Sequence, residues 1–406
     1  MTREGEGGMI EESAAKKRAV RKSKPFKPIP ENAFENQQLS LFQDFLANTD
    51  NERAALSNAV DLWDSIPRYA LSRKNQDEMR LPGGYLPIRK VAFHYRGIPL
   101  IAVVRPARIE VRDEAGKPTG ETIEYYPSAR EELIEHALRR LAAAPPAGFY
   151  DQPEQRSGLV FTLHRLRQEL ASQGHAMTYK DLAEGLDVLS LGAIDLETSD
   201  PSDPLGVRHF ARSTYFPKLI GVTRDDLEKN PEAKWYVEFH PFVTESIDKV
   251  AYRQFNYRRL MKCRTQLARW LISQLVLKYT AAAVTNSFEM RFSTIKRDSG
   301  LLEGYRLQRQ AVAALDNAWE EVKDLGALYV YKKVEHRGSR GKLEDAAYTL
   351  FPSREFAAEQ KAANRRQNDA KSIASTFARQ TTPQLLEQAK DPPPIGGPVN
   401  KAMRTR

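Results

Sequence analysis

The feature that most constrains this chain is an order of element types that occurs twice. Residues 246–351 predict a long helix over about residues 252–279 and a strand in FEMRF at 288–292. A short helix in STIKRDSG and a longer helix over GYRLQRQAVAALDNAWEEVKDLG follow, then two strands, ALYVYKKV and AAYTLF, joined by the glycine-bearing turn EHRGSRGKLED.

Upstream, residues 84–245 repeat the order. KVAFHY and IPLIAVVRPARIEV are rich in β-branched residues and predict strands. A helix over residues 128–143 has Ser128 at its N-cap and Glu131 three positions on, with Leu133, Ile134, Ala137, Leu138 and Leu141 as its apolar stripe and Pro145 and Pro146 beyond it. LVFTL is a short strand, HRLRQELASQG a short helix ended by Gly174, and TYKDLAEGLDVLS a helix capped by Thr178. Strands near LGAIDL, ARSTYFPKLIGV and KWYVEF follow, interrupted by a Pro- and Asp-bearing loop at 198–206. Helix, short strand, helix, helix, hairpin is the winged-helix arrangement. The expected fold class is therefore α+β, two tandem winged-helix domains with disordered N- and C-terminal tails.

The ends carry the tail composition. Residues 1–36 hold few apolar groups and a cationic stretch, Lys16, Lys17, Arg18, Arg21, Lys22, Lys24 and Lys27, with no acid among them. Residues 353–406 are Ala-, Gln-, Lys- and Arg-rich, then break into DPPPIGGPVN, and are expected to be a tail. The expected domains are 1–36 basic tail, 37–83 motif and linker, 84–245 first winged helix, 246–352 second winged helix and 353–406 tail.

The 406 residues carry a formal charge of +9, which favours an acidic partner, nucleic acid first. The apolar content lacks a run long enough to cross a membrane, the N-terminus has no secretory core region, and Cys263 stands alone, so a reducing cytoplasmic setting is expected. No enzyme is expected and no cofactor. GSRGKL at 338–343 lacks the spacing and hydroxyl of a nucleotide-binding loop, and the seven histidines are scattered without a metal-binding pair.

The second block holds the expected DNA reader. On its third helix Leu307, Ala311, Ala314, Leu315, Ala318, Val322 and Leu325 form the core stripe, which turns Arg306, Arg309, Ala313, Asp316 and Glu320 outward. Tyr305, Arg306, Gln308, Arg309 and Gln310 give the first half a basic, amide-bearing character, whereas Asp316, Glu320, Glu321 and Asp324 make the second half acidic. A helix entering the major groove by its N-terminal residues needs that polarity, and Arg and Gln suit guanine and adenine edges. Arg337, Arg340 and Lys342 on the hairpin turn, with Lys296 and Arg297 on the preceding helix, are expected to hold phosphates. Tyr257, Arg258 and Arg259 are basic and aromatic too, but some are expected to be structural. In the first block the equivalent helix carries Asp181, Glu184 and Asp187 against Lys180, so base reading is not expected there. His164, Arg165 and Arg167 are candidate phosphate contacts, and protein contact is the block's other expected role.

QLSLF at residues 38–42 is the most specific short motif: Gln38, Leu39, Ser40, Leu41 and Phe42 match the pentapeptide by which bacterial replication and repair proteins bind the β sliding clamp. Together with LVFTLHRLRQEL, TYKDLAEGLDVLSLGAIDLE, FNYRRLMKCRTQLARW, FEMRFSTIKRDSG and AVAALDNAWEEVKDLGAL, it makes the chain resemble the TrfA-type plasmid replication initiators over most of residues 37–351. The chain departs from that pattern in the AGKPTG-containing connection, in loop 198–206 and in its C-terminal segment. The resemblance implies binding of directly repeated origin sites, melting of adjacent duplex and recruitment of the host replicative helicase alongside the host initiator. It also implies an active monomer in balance with a dimer, and with it control of plasmid copy number. The alternative from another class is a winged-helix transcriptional repressor or autoregulator, which has no need of QLSLF. A nucleoid or partition adaptor is a third.

Overall fold

In a computed structural model, residues 55–113, 117–143, 147–151, 154–199, 208–222 and 232–388 are described. QLSLF, the basic tail, Pro145 and Pro146, most of loop 198–206 and DPPPIGGPVN lie outside the described residues. The chain is a mixture of helix and sheet.

The first described elements are β1 (Leu56–Val60), α1 (Asp61–Ser65) and α2 (Arg73–Met79). Residues 37–83 were expected to be motif and linker, yet Trp63, Tyr69 and Leu71 belong to the core. β2 (Arg89–Tyr95) and β3 (Ile98–Arg105) form a hairpin, and β4 (Ala107–Arg112) with β5 (Pro118–Tyr125) a separate two-stranded ribbon. Helix α3 (Ala129–Ala142) starts as the sequence predicts: the Glu131 carboxylate accepts from the Ser128 N–H and hydroxyl, both at 2.8 Å. Its Ile134, Ala137 and Leu138 are fully buried.

Next come β6 (Gly148–Asp151), β7 (Arg156–Thr162), α4 (Leu163–Ser172), α5 (Tyr179–Leu191), β8 (Ala193–Ser199), β9 (Arg208–Thr214), β10 (Lys218–Ile220) and β11 (Lys234–Glu238). One sheet has the order β10-β11-β7-β6 and another β2-β3-β8-β9. Gly158 lets β7 and β11 approach: a Cβ there would sit 1.9 Å from the Val237 carbonyl oxygen.

The second block opens with α6 (Pro241–Asp248), β12 (Tyr252–Asn256), α7 (Tyr257–Met261) and α8 (Gln266–Lys278). The single helix expected over 252–279 is thus a strand and two helices. Its first residues pair antiparallel with β1, Leu56 opposite Asn256 and Val60 opposite Tyr252. Asn256 then caps α7, its side chain accepting from the Arg259 N–H at 3.0 Å. The break before α8 is held from far along the chain, where the Glu321 carboxylate accepts from the Arg264 N–H and from the Thr265 hydroxyl at 2.7 Å.

β13 (Phe288–Arg291), α9 (Phe292–Ser299), α10 (Gln308–Asp324), β14 (Leu328–Arg337) and β15 (Leu343–Pro352) complete the block, with sheet order β13-β15-β14. Gly300 ends α9 at φ +62°, where a side chain would be strained. In both blocks the strand ahead of the two helices pairs with the second strand of the later hairpin.

The segment from residue 353 on, expected as a tail, forms α11 (Arg354–Gln388). Phe356, Ala357, Gln360, Ala363 and Ala370 are buried, and Arg253 of β12 donates to Gln360 at 2.9 Å. Small and amide side chains let this helix lie close on β12, so an Ala- and Gln-rich composition here marks packing. One buried cluster runs from Ala59 to Phe356 and includes residues of both blocks. Among the described residues no helix is long and apolar enough to cross a membrane.

Candidate nucleic-acid interface

α10 is positioned by Ala311, Val312, Leu315, Ala318, Trp319 and Val322, all buried. Val312 and Trp319 replace Leu307 and Ala314 of the expected stripe: Leu307 is 42% exposed, and Ala314 is half-buried. Leu307 is the N-cap and supplies no side-chain cap; its carbonyl accepts from the Gln310 N–H at 2.9 Å, and Leu307, Arg309 and Gln310 are exposed around the positive end of the helix. Tyr305 and Arg306 lie in the approach to the helix rather than on it, both exposed, and Arg309 and Gln310 are exposed on the first turn. Among the described residues Arg306 and Arg309 hold no ion pair.

The acidic half behaves differently from its sequence. Asp316 accepts from Lys333 at 2.8 Å and from the Tyr348 hydroxyl at 2.7 Å. Glu320 pairs with Lys323, and Glu321 is turned inward to cap α8 instead of facing out. Asp316 and Glu321 are thus taken up within the fold, whereas Glu320, paired with Lys323 at the surface, and Asp324 are exposed.

The β14–β15 hairpin stands beside the start of α10. Gln308, expected to face DNA, donates its amide to the Glu344 carbonyl at 2.7 Å and ties helix to hairpin. The Asp345 carboxylate accepts from the Ser293 N–H at 2.9 Å and hydroxyl at 2.7 Å, fixing the turn end of the hairpin to α9. These hydrogen bonds from Ser293 and Ala346 draw the Asp345 carboxyl below its ordinary range although burial opposes them. Arg337 pairs with Glu335 at 2.6 Å and donates to the Gly341 carbonyl at 3.1 Å, so it braces the turn. Lys342 is exposed and without an ion pair among the described residues; Arg340 lies in a short turn of helix, and its side chain is outside the description. Lys296 is half-buried, and Arg297 pairs with Asp298 at 2.7 Å. A groove between helix and hairpin is lined by Leu307, Arg309, Ala313, Lys333, Arg337 and Lys342. Lys333 was missed by the sequence reading; its place on the α10 side of β14 was legible in the two-residue alternation of YVYKKV.

Tyr257 and Arg259 are structural. Tyr257 is fully buried, and Arg259 is 5% exposed, donating to Glu355 and the Leu325 carbonyl at 2.9 Å each. In the first block Asp181 is consumed as a cap, accepting from the Thr178 hydroxyl at 2.6 Å, and Glu184 accepts from Arg130 at 2.9 Å. His164 lies 3.1 Å from the Tyr179 hydroxyl, and the Arg167 guanidinium stands 5.0 Å from the Tyr179 ring centre. Among the described residues no group of three His, Cys, Asp or Glu side chains could hold a metal ion.

No family model matches the chain, and no curated protein matches it in sequence. Among solved structures it is similar to domains 2 and 3 of RctB at 12% identity, with TM-score 0.40 over 68% of this chain and 95% of that one. A second RctB domain 2–3 structure gives 11% identity and TM-score 0.39 over 70% and 97%. Pi initiator protein in complex with iteron DNA gives 11% identity and TM-score 0.37 over 55% and 91%.

Proposed function

We propose that this chain is a plasmid replication initiator that binds repeated origin sites as duplex DNA through two winged-helix units, the second of which reads the sequence. The observation that carries this reading is the start of α10. Tyr305, Arg306, Arg309 and Gln310 are exposed there, the two arginines hold no ion pair among the described residues, and a hairpin bearing Lys342 stands alongside. Arginine and glutamine at an open helix start match base edges in the major groove, and a cationic hairpin suits the neighbouring backbone. The shared strand order of the two blocks supports two units of one type. Within this reading QLSLF hooks the host β sliding clamp, the host helicase and initiator join at the melted origin, and a monomer–dimer balance sets activity.

Arg306→Ala with Arg309→Ala is expected to cost about 1–3 kcal/mol per residue on the selected repeat and little on mixed-sequence duplex. Titration on both duplexes checks this; equal affinity of variant and wild type on the repeat would remove α10 from the reading role. Whether the gene with its flanking repeats sustains an otherwise non-replicating plasmid separates an initiator from a repressor of the same fold.

A further inference from the structure

Charges alternate along the end of β14. Lys333, Glu335 and Arg337 line the groove beside the start of α10, together with Arg309, Asp316 and Lys342. Glu335 uses both carboxylate oxygens there: Oε1 stands 3.1 Å from the Lys333 Nζ, and Oε2 accepts from the Arg337 Nη2 at 2.6 Å. Hydrogen bonds from these two cations hold the Glu335 carboxyl below its ordinary range, so it stays ionised at neutral pH.

The cations of the groove thus fall into two groups. Arg309 and Lys342 hold no ion pair among the described residues, whereas Lys333 and Arg337 meet on one carboxylate. Lys333 is bound twice, because Asp316 also accepts from it at 2.8 Å and is itself held by the Tyr348 hydroxyl at 2.7 Å. Arg337 is bound more loosely: its side chain is 58% exposed, and its second partner is the Gly341 carbonyl at 3.1 Å. An exposed ion pair contributes little net stability, because solvent and salt screen it. Arginine takes phosphate oxygens with the same two-armed geometry as a carboxylate, so an arriving phosphate competes directly with Glu335.

We propose that Arg337, with Lys333 beside it, is a seat for one DNA backbone phosphate, and that Glu335 occupies this seat in the free chain as an internal competitor. The proposal rests on the DNA-binding reading above. Arg306 and Arg309 are left open to base edges, while the hairpin cation that would hold only backbone is withheld. Backbone contacts carry no sequence information, so Glu335 lowers affinity for every duplex by the same factor.

The test compares wild type with Glu335→Gln, Glu344→Gln and Glu335→Gln/Arg337→Gln, on the selected repeat and on mixed-sequence duplex at several salt concentrations. Glu335→Gln is expected to tighten both duplexes by the same factor, roughly 3- to 10-fold at about 0.1 M salt, and to steepen the log–log salt slope by about 1, one added phosphate contact. Glu344 is exposed on β15 and its side chain holds no ion pair among the described residues. Glu344→Gln removes the same charge and is expected to leave the wild-type slope. Adding Arg337→Gln to Glu335→Gln is expected to abolish the gain. Equal steepening by Glu335→Gln and Glu344→Gln assigns the effect to net charge and overturns the seat. An unchanged slope in Glu335→Gln, or a gain that survives Arg337→Gln, overturns it too. Weaker binding by Glu335→Gln makes the carboxylate a brace of the hairpin and likewise overturns it. Each of these outcomes leaves the reading by α10 intact, whereas a wild-type chain that binds neither duplex overturns both.

Discussion

At the scale of single residues, the most consequential groups are buried charges. Asp64 accepts from Arg139 at 2.8 Å and Arg68 at 3.2 Å, and Glu135 accepts from Arg68 at 3.1 Å and from the Trp63 indole N–H at 2.6 Å. Burial alone would raise the Asp64 carboxyl, but Arg139 and Arg68 hold it well below the usual carboxylate range. Two histidines at this site respond in the other sense. Burial pushes His240, stacked 4.2 Å from Trp63, down to about 3, and does the same to His136 with Arg139 beside it. Both stay neutral in the folded chain while the unfolded chain takes up protons below about pH 6.5. Unfolded chains therefore bind more protons between about pH 6.5 and 3, and stability falls as pH drops through that window, by up to about 1.4 kcal/mol per pH unit for each histidine. His240→Asn keeps an acceptor for the Phe242 N–H, which His240 now receives at 3.1 Å, and removes the titration. Urea unfolding from pH 7 to pH 4.5 is expected to show a shallower fall for this variant; an identical profile would assign the pH dependence to other groups.

At the scale of elements, the coupling of the hairpin to the two helices matters more than any exposed cation. Asp345 and Gln308 fix β15 to α9 and to the start of α10, so the hairpin and the start of α10 present one surface. Asp345→Ala removes three hydrogen bonds to a carboxylate, two from Ser293 and one from the Ala346 N–H, worth about 1.5–3 kcal/mol each. The expected result is faster amide exchange along β14 and β15 and weaker DNA binding with the salt slope preserved, because Asp345 touches no phosphate. A changed slope with unchanged exchange would show that Asp345 acts through charge and not through position. α11 has a comparable role for β12. Deleting residues 354–388 strips the carboxylate partners from Arg259 and the amide partner from Arg253, both buried. Leaving a buried charge uncompensated costs about 3–5 kcal/mol, so the deletion is expected to lower the melting temperature by several degrees. An unshifted melt would mean that α11 is peripheral.

At the scale of the whole molecule, the buried cluster is continuous across the blocks, and Arg269 of α8 pairs with Glu132 of α3 at 3.1 Å. QLSLF, the proposed clamp hook, lies ahead of this body in sequence, so clamp binding and DNA binding are expected to be separable. Leu41→Ala with Phe42→Ala removes two apolar anchors worth roughly 1.5–3 kcal/mol each on burial. Calorimetry is expected to find clamp binding near zero while repeat binding and helical signal persist. Persisting clamp binding would dismiss QLSLF as the hook, and a joint loss of helical signal and repeat binding would make the segment part of the fold.

Much of this protein is local and was legible in its residues. The caps at Ser128 and Thr178, the stop at Gly300, the buried face of α10 and the β14–β15 hairpin depend on side chains within a few positions of one another, where propensity and periodicity act. The exposed Arg309 and Gln310 of the candidate site follow from the same periodicity, whereas Arg306 lies ahead of the helix. What the sequence did not determine is everything whose partner is distant. Residues 252–256 read as helix until β1, about two hundred residues upstream, offers them a strand to pair with. The Ala- and Gln-rich segment after residue 353 reads as a tail until β12 supplies a surface it can lie on. Asp181, Glu184, Asp316 and Glu321 read as outward acids until Thr178, Arg130, Lys333 and Thr265 take them up. Composition states how many charges a chain carries, but the field outside the molecule depends on which of them find partners, and that pairing is made only when the chain folds.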